Sequence, residues 1–263
     1  MKTGGKTMYV IYLQDCTENI WRDYRFRDIR DIQDELEKRN IFIAQDVSLG
    51  KCAYIGMEAS IHRGAQIGEE AIIGNRAIVG ENAVIMKEAE LSYMACLGTC
   101  SVMQENTFIG RNTVFKGYGL LGANSQVGEK SVIGQQVSIG QDTIIMPGCR
   151  IGDNSPVEIG QKVSIAANCI IRGNTRIADK TVIGTSACIL QGTRLPENSR
   201  IAAFSNVSGT DSWKDISEEQ HRIDQLRILQ RNLLSNILDP TDRPAILKNR
   251  QPWDRTFTNN PKH

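Results

Sequence analysis

From Ile43 to about Val207, large apolar residues recur at every sixth position. The frame runs Ile43, Leu49, Ile55, Ile61, Ile67, Ile73 and Val79, then on through Met103, Ile109 and Phe115 to Ile151. One extra pair of residues sits in IGDNSPVE, after which the frame resumes at Ile159 and continues to Ile201 and Val207. Four positions after a frame residue stands a small one: Ala53, Ala59, Ala65, Ala71, Ala77, Ala83, Ala89 and Ala95, then Ser101, Thr107, Thr113, Cys149 and Cys169. Glycine follows the frame residue in about half the hexads. Self-similarity at a short fixed period is the signature of a solenoid.

Six residues hold a short strand and a tight corner, and three such units close one triangular coil. A frame side chain then points inward and stacks on its counterpart one coil away, as Ile55, Ile73, Leu91 and Ile109 do. The small residue fits a narrow corner that Leu would overfill, and the glycine relieves backbone crowding where the chain turns. The pattern predicts an all-β solenoid of about nine coils over residues 43–209, roughly 45 Å tall at the inter-strand spacing of a sheet. The motif is Leu, Ile or Val, then Gly, Ala, Glu or Asp, two free positions, a small or β-branched residue and a last free position. It resembles that of the hexapeptide-repeat family, and the resemblance implies a left-handed parallel β-helix. The family includes acyltransferases, gamma-class carbonic anhydrases, the tails of sugar-nucleotide pyrophosphorylases and catalytically silent scaffolds. Fold alone does not choose among them.

A solenoid exposes apolar interior at its ends and needs caps. Residues 1–42 are read as the N-terminal cap, with a strand at Met8–Leu13 and a helix from Thr17 to about Arg39. The stripe Trp21, Tyr24, Ile29, Ile32 and Leu36 would lay that helix over the first coil. Residues 210–263 are read as a C-terminal helix and extended tail. Ser217-Glu-Glu-Gln220 is a capping box that opens a helix to about Leu238, with Ile223, Leu226, Leu229, Leu233 and Ile237 on one face. Asp239-Pro240 ends it, and Pro240, Pro244, Pro252 and Pro261 mark a tail that lies on its own or a neighbouring subunit. Between Met86 and Tyr118 the motif loosens, with Tyr93, Met94, Phe108 and Tyr118 appearing. Two readings stand there: drift within the solenoid, or a contact surface for a partner or ligand.

Charge is balanced, with 31 basic against 30 acidic residues, so no bulk attraction to nucleic acid or an anionic membrane is implied. No apolar run reaches membrane-spanning length. The N-terminal stretch has no small-residue cleavage site and does not read as a secretory signal. Seven cysteines include no C-x-x-C pair, and Cys149 and Cys169 fall in the inward slot, where cysteine acts as a compact hydrophobe. These features predict a reduced, cytoplasmic protein.

Positions just before the frame point outward, and one face reads Ser60, Ile78, Cys96, Val114, Val132, Arg150, Ile170, Cys188 and Asn206. Such an apolar column suits packing against another solenoid. We expect a parallel homotrimer through the face of Ile78, Cys96, Val114, Val132, Ile170 and Cys188, against the alternative of scattered surface apolar residues. The neighbouring face carries Arg172, Arg176 and Arg194, the last two in register. They are either a solvated basic patch or, as the resemblance to family acyltransferases implies, holders of the phosphates of acyl-coenzyme A. That co-substrate is the one ligand expected, with no tightly bound cofactor. The same resemblance implies a histidine general base. Of His62, His221 and His263, only His62 lies in the solenoid. It stands six coils below Arg172, roughly 29 Å away at sheet spacing, so one compact site does not hold both. The alternative for His62 is an exposed or interfacial residue. Family carbonic anhydrases ligate zinc through three histidines, and no His/Cys cluster replaces them here. Two functions follow: a transferase passing an acyl group from acyl-coenzyme A to a sugar or sugar-nucleotide, or a non-catalytic scaffold presenting a rigid face to partner proteins.

Overall fold

The computed structural model describes residues 8–15, 20–153 and 155–209. The predicted capping box at Ser217, its helix, the proline-rich tail, His221 and His263 lie outside the described residues, as does Thr17.

Short strands alternate with corners, and each pairs in parallel with the strand one coil on. Three sheets result. Face I climbs from Ala53–Ile55 to Arg200–Ile201, face II from Phe42–Ile43 to Asn206–Val207, and face III from Ser48–Leu49 to Arg194–Leu195. Together they make the three-sided parallel solenoid of about nine coils that the period predicts. Registers follow the frame: Ile55 pairs with Ile73, and across the two-residue insertion Ile151 pairs with Ile171. Alternation along a strand turns the frame residues inward, and Ile61, Ile67, Ile73, Ile85 and Leu91 are fully buried. They form one continuous apolar core with the alanines of the small slot.

The corners correct one expectation. Left-handed backbone falls on the third residue after the frame, at Glu58 (φ 57°), Arg76 (58°), Asn82 (52°) and Lys130 (55°). The glycine directly after the frame serves close approach instead. A Cβ on Gly68 would lie 2.5 Å from the Met86 carbonyl carbon, and one on Gly80 would lie 2.6 Å from the Thr99 nitrogen. The crowding glycine relieves is between coils.

The small slot changes chemistry along the column. Where it holds alanine, its N–H donates to the carbonyl three residues back, as Ala77 does to Gly74 (3.1 Å) and Ala83 to Gly80 (3.2 Å). At Thr113 and Ser131 on face II a hydroxyl takes over. Thr113 Oγ1 donates to the Gly128 carbonyl at 2.8 Å and accepts the Ser131 N–H at 3.1 Å. Ser125 does the same on face I, donating to Gly140 at 2.7 Å and accepting from Thr143 at 3.0 Å. These two buried hydroxyls thus each satisfy a backbone donor and a backbone acceptor one coil up. At Phe115 the frame residue is oversized, and the slot that serves it is Gly119, where a Cβ would strike the Phe115 ring.

The N-terminal cap is a hairpin followed by a short helix. Strand β1 (Tyr9–Gln14) pairs in parallel with Ala53–Ile55 and antiparallel with β2 (Trp21–Phe26), so face I continues below the first coil. The helix expected from Thr17 is therefore overturned for residues 21–26. The edge offered by β1 is satisfied by six ladder pairs with β2, and the aromatic residues that suggested a helical stripe are strand formers. Helix begins later, with a 3-10 turn at Ile29–Ile32 capped by Asp28 and then α1 (Gln33–Lys38). Ile32 and Leu36 do cover the first coil, as expected. The buried Arg39 locks this cap: its guanidinium donates to the Gln14 carbonyl (2.9 Å), to Glu35 (2.8 Å) and to the Tyr24 hydroxyl (2.9 Å). Among the described residues no helix is long and apolar enough to cross a membrane.

Candidate functional site

Face II bears the predicted apolar column in register. Ile78 pairs with Cys96, Cys96 with Val114, Val114 with Val132, and Ile170 with Cys188. Ile78 is 42% exposed and Val114 36%. Arg150 interrupts the column between Val132 and Ile170.

At that interruption lies a groove of about 290 Å³, lined by Lys116, Val132, Arg150, Gly152, Asp153, Ile170, Ile171 and Arg172. The repeat builds it by subtraction. Lys116, Gly134, Gly152 and Arg172 each follow the inward residue of successive face II strands, so they stack along one corner. The two glycines leave a space about 14 Å long, three coil steps, between the lysine and the arginine. A Cβ at Gly134 would lie 2.9 Å from the Gly152 carbonyl carbon, so the coils close tightly beneath. The two-residue insertion supplies Asp153 on one side, and Val132, Ile170 and Ile171 give an apolar floor.

Three cations therefore surround an apolar trough, and all three are exposed. None of Lys116, Arg150 and Arg172 forms an ion pair with a described residue. An unpaired guanidinium has five N–H donors in a planar fork that matches a phosphate or carboxylate, and lysine adds a point charge. The site is suited to an anionic ligand carrying an apolar part.

The structure divides the predicted residues. Arg172 lines the groove. Arg176 and Arg194 are in register on face III, as expected, but neither lines it. Arg176 is engaged instead, with its Nε 3.5 Å from Glu158 Oε2. His62 stands near the base of face II, its Nε2 3.3 Å from Ser60 Oγ and its ring 5.9 Å from that of Phe42. The registers keep it six coils from Arg172, so the two do not meet. Lys116 and Arg150 were missed as a pair with Arg172. The signal existed: read at the coil repeat, the position after the frame gives Lys116, Gly134, Gly152, Arg172, two cations flanking two glycines. Among the described residues no group of three or more His, Cys, Asp or Glu gathers to hold a metal.

No protein-family model and no curated protein matches the sequence. Among solved structures the chain is similar to a UDP-N-acetylglucosamine acyltransferase from Campylobacter jejuni, with a TM-score of 0.54 and 19% identity over 68% of this chain and 88% of that one. It also matches the Francisella novicida UDP-N-acetylglucosamine acyltransferase (TM-score 0.37, 18% identity, 73% and 76% of the two chains). A third match is the acetyltransferase domain of PglB from Neisseria gonorrhoeae in complex with acetyl coenzyme A (TM-score 0.30, 15% identity, 59% and 60%). At such identities the likeness is one of fold, and it agrees with the three-sided parallel β-solenoid that the six-residue period predicts.

Proposed function

We propose that this protein is an acyltransferase that seats the phosphorylated end of acyl-coenzyme A in the face II groove and passes its acyl group to a sugar or sugar-nucleotide. The observation that carries the reading is the set of three cations, Lys116, Arg150 and Arg172, around an apolar, glycine-backed trough. Phosphate oxygens accept charge-assisted hydrogen bonds from such groups, while Val132, Ile170 and Ile171 suit the uncharged part of the donor. The fold agrees, since the Campylobacter protein of the same architecture is an acyltransferase.

Attack of an acceptor hydroxyl on the thioester carbonyl requires a group to take its proton. The one carboxylate lining the groove is Asp153, which borders the phosphate end, and the thioester lies a full pantetheine arm away from it, so the proton acceptor stands beyond the groove. The same reading makes the protein a homotrimer through Ile78, Cys96, Val114, Val132, Ile170 and Cys188. Val132 and Ile170 belong to both groove and column, so the groove would open at the subunit boundary. Light scattering should give three times the chain mass.

A second reading is favoured by the isolation of His62. A solenoid whose histidine packs on Phe42 and Ser60, away from the groove, suits a scaffold that presents face II to a protein partner. One set of measurements separates the two. Coenzyme A and acetyl-coenzyme A should raise the melting temperature, and acetyl-coenzyme A with sugar-nucleotide acceptors should release free thiol. Arg150→Ala with Arg172→Ala should abolish the melting shift, whereas Arg176→Ala with Arg194→Ala should preserve it. No shift at millimolar coenzyme A would reject the transferase and leave the scaffold.

A further inference from the structure

Two cysteines lie inside the column, directly behind the groove. Cys149 and Cys169 occupy the same small slot on adjacent coils, and both are fully buried. The Cys169 carbonyl accepts the N–H of Arg150 at 2.9 Å, which holds the two residues side by side. In-register neighbours of a sheet stand about 4.8 Å apart, within the roughly 4.4–6.8 Å that a disulfide spans between Cα atoms. Each thiol hydrogen is directed to a carbonyl one coil up, Cys149 Sγ to Ala166 at 3.2 Å and Cys169 Sγ to Gly184 at 3.1 Å. A hydroxyl suffices for that work, as Thr113 shows in the same column. Beyond that bond and compact apolar bulk, two sulfurs at consecutive slots add the one thing a hydroxyl cannot form, an S–S bond. Cys52, Cys96, Cys100 and Cys188 are half-buried and lie outside the inward slots.

We propose that Cys149 and Cys169 are a redox pair that hydrogen peroxide closes to a disulfide, stapling the coils that carry Arg150 and Ile170 and so altering the groove between them. The step balances with peroxide as oxidant. The Cys169 thiolate attacks one peroxide oxygen; the S–O bond forms, the O–O bond breaks, and the departing hydroxide takes a proton and leaves as water. Cys149 sulfur then attacks Cys169 sulfur; the S–S bond forms, the S–O bond breaks, and a second water leaves. Two thiols are oxidised and one peroxide is reduced to two waters. The neighbouring groups prepare the attack: the Cys149 thiol, with the backbone N–H groups of Ala187 and Ser186, holds the Cys169 thiol below its ordinary value against the opposing effect of burial. Cys149 is pushed upward, first by the neighbouring Cys169 sulfur, to which its S–H turns from the Ala166 carbonyl once Cys169 ionises, and then by burial. A peroxide-sized oxidant suits a buried pair where a bulky disulfide does not. The effect on the groove follows from the chain, because Arg150 and Ile170 are the residues next to the two cysteines and both line it; this part rests on the acyl-coenzyme A reading above.

The full chain should be treated with hydrogen peroxide, alkylated under denaturing conditions and digested without reduction. A linked Cys149–Cys169 peptide, lost in Cys149→Ser and in Cys169→Ser, is expected. Serine already fills this slot one coil below at Ser131, so these variants keep the slot's hydrogen bonds. The oxidised protein should bind coenzyme A several-fold more weakly, and a thiol reductant should restore the affinity. Both thiols alkylated after peroxide, or a link only among the half-buried cysteines, would overturn the redox pair. A link formed with coenzyme A affinity unchanged would overturn its coupling to the groove. A link formed in a protein that binds no coenzyme A in either state would reject the transferase reading while the pair stands.

Discussion

Replacing Thr113 with valine tests whether the hydroxyl ladder is a rigid requirement or one of two ways to close a corner. The side chain is fully buried, and valine matches its shape while removing the oxygen. Two groups lose their partner at once: the Ser131 N–H, 3.1 Å from Thr113 Oγ1, and the Gly128 carbonyl, 2.8 Å from it. Left unpaired in the interior, each would cost about 1–3 kcal/mol. Yet Ser131 and Gly128 stand three residues apart, the relation that pairs directly in the alanine corners at 3.1–3.4 Å. The corner beneath, Thr113 N–H to Gly110 carbonyl at 3.3 Å, already makes that bond in this column. A shift of a few tenths of an ångström lets the two orphans satisfy each other. The net loss is then one ordinary hydrogen bond, about 1 kcal/mol. Because each coil contacts only its neighbours, the effect should be local. Amide exchange at Ser131 should stay protected, and urea unfolding should move by that modest amount, with Thr113→Ser near neutral. A loss above about 3 kcal/mol with free exchange at Ser131 would show that the corner cannot relax and refute the reasoning.

Gly119→Ala should destabilise by about 1–3 kcal/mol, the usual cost of overpacking, because its Cβ meets the Phe115 ring. Phe115→Leu should recover part of that loss in the double variant, and additive unfolding free energies would contradict the assigned contact. In the cap, Lys38 first, then Arg39 and Tyr24, hold the Glu35 carboxyl down to about 2 from its usual 4.5. A depressed carboxylate contributes stability that is fully present above the unfolded value and lost as pH falls toward the folded one. Melting temperature should therefore drop between pH 4.5 and about 2, and Glu35→Gln should flatten that part of the profile; an unchanged profile would remove Glu35 from the cap's acid response.

What the sequence displayed and what it hid differ for a physical reason. Frame residues such as Ile73 and Leu91 face one environment, the column interior, so their identity alone reports their place. Trp21 and Tyr24 do not: they sit at the end of a sheet where the partner strand, not local propensity, decides, and a helix-like spacing became the strand β2. The groove stayed hidden because the residues that make it are the glycines at 134 and 152, whose contribution is missing volume. Arg176 and Arg194 attracted attention by stacking, but Glu158 already answers Arg176. Lys116 and Arg150 stand on different edges of the same trough and share no single eighteen-residue series, so each looked solitary.

A strict repeat makes every surface resemble the next, and a ligand cannot choose among equivalent coils. Specific binding needs a place where the repeat breaks. Only one break of register occurs within the described solenoid, the two extra residues that turn eighteen into twenty between Ile151 and Ile171. Asp153 is part of that insertion, Arg150 precedes it, and Arg172 follows the strand it displaces upward. Cys149 and Cys169 bracket the same segment, so a bond between them would close the one coil whose length differs from the rest. Deleting two residues within 153–156 should therefore leave the column folded, as the other coils fold without them. The same deletion should abolish the coenzyme A-dependent melting shift, whereas the two cysteines, still in register on adjacent coils, should keep their peroxide-induced link. Retention of the melting shift would mean that the cations alone, and not the broken register, define the site.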